Sequence, residues 1–531
     1  MKFAFQVFFP FRNILPHYST DIAGILRMVP AFVPEADRRE SVSPIYRENA
    51  MEKKEQFTSR WALLLATIGM AIGAGNIWRF PRLAGQYGGA FLIPWALFLI
   101  LWSVPLLMVE FSLGKHTRKG PIGAFAEYLG KRYAWMGAFV CGCTIFIMFY
   151  YSVVTGWALK YFVAAATGSL VGADHKAYWD QFTGSGFEPL IYHLIALSLA
   201  AMIIYRGVVN GIERANRILL PSLLVLLLIG VVRALTLPKA AVGLNYFFGF
   251  HGASLADYKI WLEALSQSAW STGAGWGLVL TYAVYMHEKE DVTLNAFITG
   301  FGNNSASLLA GLMVIPSVFS LSASVEEATQ ALQAGNTGLS FIAIPRLYEQ
   351  LPLADVLLGL FFLALFFAAL SSLIAMLELA TRMLMDFGMN RSRALLLVAL
   401  ATAILGAPSA FSLDFFNNQD WVWGLGLIIS GAFFAFAVIA RGVERFRENF
   451  LNLPHNDLRI GAWFDWVMQY LIPVEALAML IWWFFSTWDA QLWWHPLNVY
   501  SLGTCVVQWA ALIVFLLLLN SKLYQWVTER G

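Results

Sequence analysis

The chain has 531 residues, of which 59% are hydrophobic and 13% charged, and its net charge is +2. Because about 25% of the residues in soluble proteins are charged, this composition excludes a soluble globular domain and indicates a polytopic membrane protein. The charged residues form no basic cluster that would suggest a nucleic-acid partner. The three cysteines, Cys141, Cys143 and Cys505, lie in apolar segments and suit neither a disulfide framework nor a metal site.

Residues 1–50 differ in composition from the rest of the chain. Their early apolar part is too short and too often interrupted by proline to cross a membrane. No small-residue cleavage site follows a continuous apolar core, so a signal peptide is not indicated. Met51 begins a charged lead into the first long apolar segment. We therefore expect residues 1–50 to be a disordered extension, or Met51 to be the biological start.

The rest of the chain, residues 51–526, is predicted to be one all-α integral membrane domain with twelve transmembrane helices. Each prediction rests on a window of about 20 apolar residues. The predicted spans lie near residues 60–85, 90–114, 134–166, 189–205, 214–235, 259–286, 293–321, 351–385, 393–408, 420–440, 465–486 and 498–524. Several are longer than a bilayer requires, which indicates tilt or protrusion.

Basic residues are concentrated in the loops on one side of the predicted membrane domain. They occur at 53–54, 115–119, 206–217, 391–393 and 441–447, whereas the loops on the other side contain less arginine. By the positive-inside rule, the basic side is cytoplasmic. We therefore expect both termini in the cytoplasm.

The first predicted span is interrupted in its middle. Residues 69–81 contain three glycines, Asn76 and Pro81, although glycine costs about 1 kcal/mol and proline about 3 kcal/mol inside a helix. Backbone without helical hydrogen bonds is tolerated at membrane depth only where it lines a cavity or is buried in protein. The interruption thus indicates a polar ligand near the midplane of the bilayer. The alternative is close helix packing through small residues.

The sixth predicted span has a similar interruption. Residues 267–277 are again rich in small and hydroxyl residues. Because the two interrupted spans are five positions apart in order, an odd number, the two five-helix halves would have opposite orientations. This is the plan of an inverted repeat. We place the first repeat near 60–235 and the second near 259–440, with the last two helices near 465–524.

Several oxygen-bearing side chains lie in or near the two interruptions. Na⁺ requires oxygen ligands, which unwound carbonyls and Ser, Thr or Asn side chains supply. The candidates in the interruptions and in the seventh and eighth spans are Asn76, Ser271, Asn303, Ser371 and Ser372. Each serine alone could simply bond a carbonyl of its own helix, but their occurrence with two interrupted spans favours a cation site.

The motifs in these segments resemble those of a known family. They are Gly-Ala-Gly-Asn-Ile-Trp-Arg-Phe-Pro at 73–81, Gly-Gly-Ala-Phe-Leu-Ile-Pro at 88–94, the tyrosine pair at 150–151, Gln267 with Ser271 and Gly277, and Leu-Ser-Ser at 370–372. Together they resemble bacterial members of the neurotransmitter:sodium symporter family over roughly residues 51–526. The resemblance implies a sodium-coupled symporter of a neutral amino acid that works by alternating access in the bacterial inner membrane.

The resemblance also implies two sodium sites. The first would combine the substrate carboxylate with the Ala71 carbonyl, Asn76, Ser271 and Asn303. The second would combine the carbonyls of Gly69, Ile72 and Ala368 with the hydroxyls of Ser371 and Ser372. A substrate carboxylate that is itself a sodium ligand couples the two binding events, and this coupling is reciprocal.

A zwitterionic substrate is implied between the two interruptions. Its carboxylate would meet the amides near Gly75 and the Tyr151 hydroxyl, and its ammonium the carbonyls of Ala71, Trp270 and Ser271. Its side chain would lie among Ile147, Trp270, Gly273, Trp276, Ser372 and Met376, none of them charged.

Two further positions bear on the choice of substrate. Gly73 stands where monoamine carriers of the family have Asp, which favours amino acids over monoamines. Trp276 is bulkier than the family's usual Phe and should shorten the pocket, whereas Gly273 and Ala74 should open room elsewhere. The sequence does not decide which of these effects is larger.

The family pattern also implies gates. Arg79 with Asp420 matches the outer ion pair and Lys54 with Asp386 the inner one, where Lys would hold the carboxylate only as a point charge. Glu110 is expected to accept hydrogen bonds from amides freed at the second interruption, with a proton relay as the alternative. Glu378 is a second intramembrane carboxylate, and such groups are functional candidates by default.

Some properties stay undecided at this level. Ser307 resembles the chloride-site serine of animal members, but Trp95 stands where chloride binders have Tyr, so chloride dependence is uncertain. A non-transporting amino-acid sensor or a proton-coupled carrier could share the fold. No motif of a membrane enzyme is evident. The amino acid transported and the oligomeric state are not indicated.

Overall fold

The computed structural model describes residues 55–250, 252–488 and 492–529, and all regular structure in these ranges is helical. The predictions for residues 1–50, Met51 and Lys54 lie outside the described residues. The helices of the first half of the chain are α1 Arg60–Ala71, α2 Ala74–Tyr87, α3 Leu92–Phe98, α4 Val104–Thr117, α5 Pro121–Leu129, α6 Ala134–Ala166, α7 His175–Gly184, α8 Phe187–Tyr205, α9 Arg214–Leu235 and α10 Ala240–Phe248.

The helices of the second half are α11 Tyr258–Ser271, α12 Leu278–Ala283, α13 Val292–Leu321, α14 Val325–Gln333, α15 Gly335–Thr337, α16 Ile344–Tyr348, α17 Ala354–Asp386, α18 Arg391–Phe411, α19 Leu413–Arg441, α20 Val443–Phe446, α21 Trp463–Trp466, α22 Ile472–Ser486 and α23 Leu502–Glu529. Short 3₁₀ and π-helical turns join some of them, such as the π-helical turn Val208–Glu213 directly before α9.

Ten helical segments of the described residues are long and apolar enough to cross a membrane. They are Ala74–Thr117, Lys131–Ala166, Phe187–Tyr205, Val208–Leu235, Val292–Leu321, Ala354–Asp386, Arg391–Phe411, Leu413–Arg441, Trp463–Ser486 and Leu502–Glu529. The prediction of an all-α membrane protein is confirmed. The segment Ala74–Thr117 is continuous because a 3₁₀ turn at Gly88–Phe91 links α2 to α3, where we expected a loop.

The helices differ in how deeply they are buried. The most apolar windows of α6 and α17 are 78% and 83% buried, and these two helices form the most extensive helix pair of the described residues. The corresponding windows of α8, α22 and α23 are only 33% buried. The first two therefore lie at the centre of the molecule, and the other three present most of their apolar surface outward, where lipid would cover it.

The first predicted span consists of two helices, since α1 ends at Ala71 and α2 begins at Ala74. Gly73 between them is extended, with φ −98° and ψ −174°. The Asn76 side chain accepts a hydrogen bond from the Gly73 amide at 3.0 Å, and the Asn76 amide donates to the Gly73 carbonyl at 3.1 Å. Asn76 thus caps the start of α2 from within its first turn.

The sixth predicted span is also divided, since α11 ends at Ser271 and α12 begins at Leu278. Between them, Gly273, Gly275 and Gly277 have φ values of 71°, 90° and 77°. Residues with a Cβ rarely adopt this left-handed region, whereas glycine does so without steric cost. The three glycines therefore allow the chain to leave the helical conformation after Ser271 and to resume it at Leu278, after six residues.

Glu110 on α4 lies against the backbone at the place where the sixth predicted span is divided. Its carboxylate, fully buried, accepts hydrogen bonds from the amides of Gly275 at 2.6 Å and Leu280 at 3.1 Å. The expectation that Glu110 satisfies amides freed at this interruption is confirmed. The two backbones also touch, because a Cβ added at Gly114 would lie 2.1 Å from the Leu280 carbonyl oxygen.

We predict that Glu110→Gln destabilises the folded protein. Glutamine keeps one acceptor oxygen, and its amide nitrogen cannot accept, so one buried N–H at the second division would lose its partner, at a cost of about 1–3 kcal/mol. The measurement is thermal unfolding of the purified protein in detergent. Glu127→Gln is the control, because that carboxylate is 50% exposed and, among the described residues, pairs only with Lys119 at 3.4 Å. Equal melting temperatures for the two variants would contradict the structural role of Glu110.

Candidate ligand-binding site

A buried polar cluster lies where the two divided spans meet α13. The Asn76 amide nitrogen donates to the side-chain oxygen of Asn303 at 2.8 Å, to its carbonyl at 3.2 Å and to the Ser307 hydroxyl at 2.8 Å. The Ser271 hydroxyl lies 3.2 Å from the same side-chain oxygen of Asn303. All four side chains are at most 6% exposed. The structure therefore brings together three of the residues predicted for the first sodium site.

The fourth predicted residue, Ala71, joins this cluster through its carbonyl. The Asn303 side-chain atom that accepts from Asn76 lies 3.0 Å from the carbonyl oxygens of both Ala71 and Ser271. The carbonyls of Ala71 and Ser271 therefore converge on the Asn303 side-chain amide. Backbone carbonyls and amide oxygens are ligands that a hard cation prefers.

A second oxygen cluster lies between α1 and α17. The Ser371 hydroxyl donates to the carbonyls of Gly69 at 2.6 Å and Ala368 at 2.9 Å. The neighbouring Ser372 hydroxyl donates to the Met70 carbonyl at 2.9 Å. The Ser371 hydroxyl thus contacts two of the three carbonyls predicted for the second sodium site, those of Gly69 and Ala368.

One predicted member of the second site is placed differently. Ile72 lies at the end of α1, with ψ 87°, and shares no hydrogen bond with either serine hydroxyl in the described structure. Met70 rather than Ile72 supplies the carbonyl that Ser372 contacts. The change of backbone direction at Ile72 turns its carbonyl out of the helical series to which the Gly69 and Met70 carbonyls belong.

The start of α2 borders a space suited to a small ligand. The Ala74 amide donates to the Tyr151 hydroxyl at 3.0 Å. A Cβ added at Gly73 would lie 2.9 Å from that hydroxyl and 3.0 Å from the Ser372 hydroxyl, so a larger residue would displace them. A Cβ added at Gly75 would meet no atom within 4 Å, so open space adjoins this helix start, whose dipole attracts negative charge.

The two tryptophans predicted for the pocket form an aromatic wall together. The rings of Trp270 and Trp276 meet edge to face at 5.3 Å. Two further predicted contacts, Ile147 and Met376, are buried, with at most 1% exposure. The room expected beside Gly273 is taken, because a Cβ there would lie 3.1 Å from the Met70 sulfur.

The predicted outer ion pair is not formed in the structure, although both residues are described. The Arg79 guanidinium instead lies 3.7 Å from the Glu263 carboxylate and donates to the Ser266 hydroxyl at 2.7 Å. Asp420 accepts a hydrogen bond from the Tyr150 hydroxyl at 3.0 Å. Each charge thus has another partner in this conformation, and the role of Arg79 and Asp420 as an outer gate stays a prediction.

Asp386, the residue predicted for the inner gate, also has a partner other than the predicted one. Asp386 pairs with Arg382, one turn earlier on α17, at 2.8 Å and accepts from the Gly120 amide at 2.6 Å. Arg382 also donates to the Arg118 carbonyl at 2.9 Å. Lys54, the predicted partner, lies outside the described residues. Arg382 was not predicted, although its spacing of four residues from Asp386 favours such a pair on a helix.

Glu378, the other intramembrane carboxylate, is paired. Its two oxygens face the Arg391 guanidinium, with the closer contact at 2.7 Å, and one accepts from the Tyr285 hydroxyl at 2.6 Å. An intramembrane carboxylate with a bidentate arginine and a hydroxyl donor has its desolvation compensated. This arrangement joins α17, α18 and the segment after α12.

Comparisons with known proteins agree with these features. Residues 54–185 and 190–525 match the sodium:neurotransmitter symporter family. An uncharacterized sodium-dependent transporter of Methanocaldococcus jannaschii is 31% identical over 450 residues, which cover 81% of this chain and 90% of that protein. Another from Bacillus subtilis is 28% identical over 455 residues, covering 81% and 98% of the two chains.

A solved structure is also similar. The crystal structure of MhsT in complex with L-phenylalanine matches with a TM-score of 0.70 and 27% sequence identity, over 81% of this chain and 99% of that chain. The resemblance inferred from the sequence motifs is thereby confirmed. The chain belongs to the sodium:neurotransmitter symporter family, a family of sodium-dependent transporters and not of enzymes.

Proposed function

We propose that the protein is a sodium-coupled symporter of a neutral amino acid that works by alternating access. The observation that carries the proposal is the convergence of the Ala71 and Ser271 carbonyls on the Asn303 side-chain amide, where both carbonyl oxygens lie 3.0 Å from the same amide atom. These groups belong to the two divided spans and to α13. A cation bound there would hold all three elements together.

The architecture proposed is twelve transmembrane helices over residues 51–526 with a five-plus-five inverted repeat. In this plan α1 with α2, and α11 with α12, are the broken first and sixth helices. Their divisions at 72–73 and 272–277 support the plan. We place the protein in a bacterial inner membrane with both termini in the cytoplasm, on the distribution of basic loops.

We assign the first sodium ion to Ala71, Asn76, Ser271 and Asn303. The substrate carboxylate would complete this site from the open space beside Gly75, where it would also meet the Tyr151 hydroxyl. The ammonium would meet carbonyls at the end of α1 and α11. A second sodium ion is assigned to the oxygens of Gly69, Ala368, Ser371 and Ser372, together with Ile72 after a local rearrangement.

The side-chain pocket supports a neutral substrate. The pocket residues Ile147, Trp270, Gly273, Trp276 and Met376 carry no charge. The Arg79 guanidinium lies 5.8 Å from the centre of the Trp270 ring and is paired with Glu263. MhsT, the similar structure, is complexed with L-phenylalanine, a neutral amino acid.

The competing proposals are a proton-coupled carrier and a non-transporting sensor. A proton relay through Glu110 is disfavoured because its oxygens accept from two backbone amides. Glu378 is disfavoured for that role because it pairs with Arg391. Uptake of labelled amino acid into proteoliposomes under a sodium gradient, and separately under a proton gradient, distinguishes all three proposals. A sensor would show binding but no uptake.

Chloride dependence is a separate question for the same assay. The indole nitrogen of Trp95 and both amide atoms of Gln267 are buried without a hydrogen-bond partner among the described residues. The Ser307 hydroxyl already accepts a hydrogen bond from Asn76. We make no chloride assignment, and uptake with chloride replaced by gluconate decides it.

We predict that Asn76→Ala, and separately Ser371→Ala with Ser372→Ala, weaken sodium-dependent substrate binding through different sites. Loss of an oxygen that contacts a charged partner costs about 1.5–3 kcal/mol of binding free energy. The sodium concentration for half-maximal binding should therefore rise at least tenfold. A scintillation proximity assay with labelled substrate measures this shift. Thr402→Val is the control, because within the described part of the chain its buried hydroxyl bonds only the Val398 carbonyl of its own helix. Unchanged sodium dependence in both variants would contradict the two-site assignment.

A second prediction concerns the class of substrate. Neutral L-amino acids should stabilise the protein against heat in the presence of sodium, because their carboxylate completes the first site. Amines without a carboxylate, such as tryptamine, should not. Thermal-shift measurements with each pair, for example tryptophan and tryptamine, test this directly. Equal stabilisation by the amine would rule out the proposed contact between carboxylate and sodium.

A third prediction is that Trp276 limits the size of the substrate. Trp276→Phe would remove part of an indole that packs against Trp270. Larger aliphatic substrates should then gain about 0.8 kcal/mol per added buried methylene, roughly a fourfold change in affinity. Glycine and alanine should gain nothing, since they would leave a void. A competition series from glycine to leucine and phenylalanine measures this, and an unchanged rank order would contradict it.

A further inference from the structure

Asn216 on α9 carries a buried oxygen without a partner. The side chain is fully buried and follows the π-helical turn Val208–Glu213. Its amide nitrogen donates to the Ile212 carbonyl at 2.9 Å, which fixes the orientation of the amide. The side-chain oxygen then has no donor among the described residues. Exchanging the two amide atoms would set an oxygen against the Ile212 carbonyl, so the orientation has no better alternative.

This oxygen lies beside Gly69 of α1, whose carbonyl belongs to the second oxygen cluster. A Cβ added at Gly69 would lie 2.5 Å from the Asn216 side-chain oxygen and 3.9 Å from the Ser371 Cβ. Both side chains therefore approach the backbone of Gly69. The Gly69 carbonyl accepts the Ser371 hydroxyl at 2.6 Å. The free oxygen of α9 thus lies next to a residue that α17 also contacts.

A buried acceptor in this position requires a partner. Leaving it unsatisfied costs about 1–3 kcal/mol, and the great majority of buried polar atoms have a partner. Its neighbours Gly69 and Ser371 offer no free donor, because the serine proton is directed at carbonyls. A neutral amide oxygen is, however, a good ligand for a hard cation. The missing partner is therefore best supplied by a cation or by a water bound to it.

We propose that Asn216 supplies a further oxygen to the second sodium site and raises the affinity of that site for Na⁺. The inference rests on the proposed second sodium site between α1 and α17. It adds a third helix, α9, to that site.

The test is the sodium dependence of substrate binding in two variants of the full-length protein. Asn216→Leu keeps the approximate volume but removes the oxygen, and should raise the half-saturating sodium concentration about threefold to tenfold. Asn216→Asp keeps oxygen atoms and adds a negative charge beside the cation, and should lower that concentration. The opposite directions make the result independent of a general loss of folding. Thr402→Val again serves as the control for removal of a buried oxygen.

The outcome separates this inference from the proposed function. If Ser371→Ala raises the half-saturating concentration but both Asn216 variants match Thr402→Val, the second site stands and the role of Asn216 is overturned. If Ser371→Ala has no effect, the second sodium site itself fails, and the inference fails with it. Shifts in opposite directions for Asn216→Leu and Asn216→Asp, with weakened binding in Ser371→Ala, support both.

Discussion

The structure depends on one constraint, which is that a polar backbone inside a membrane must find its partners within the protein. At the first division, Asn76 and Tyr151 bond the amides of Gly73 and Ala74. At the second, Glu110 bonds two further amides. These four amides thus have partners within the protein, and the carbonyls of Ala71 and Ser271 converge on the Asn303 side-chain amide. Open space remains beside Gly75 at the start of α2, where the helix dipole attracts negative charge.

The local features of the site could be predicted from sequence because each has a local cause. Gly273, Gly275 and Gly277 adopt positive φ, and only glycine adopts that region at no steric cost. Asn76 both interrupts the hydrophobic pattern and caps the helix that follows. The role of Glu110 was also predictable, since an intramembrane carboxylate needs donors and the second interruption frees backbone amides.

The pairing of long charged side chains could not be predicted in the same way. Arg79 contacts Glu263 and Ser266 rather than Asp420, although all are within reach of its flexible side chain. Asp386 pairs with Arg382 of its own helix. The choice of partner depends on small differences in free energy between alternative ion pairs and on the conformation of the protein. Residue spacing gives information on neither. The position of a lone polar residue such as Asn216 could not be predicted either, because its neighbour Gly69 is about 150 residues away along the chain.

The carboxylate of Glu110 has a mechanical consequence. It accepts hydrogen bonds from the Gly275 amide within the second division and from the Leu280 amide in α12, and Gly114 one turn later touches the Leu280 carbonyl. The helices α4 and α12 are thus joined by a buried carboxylate and by direct backbone contact. A close-packed contact of this kind does not slide without breaking buried hydrogen bonds. The two helices are therefore a single rigid body. Whatever displacement carries a ligand past α12 must carry α4 with it.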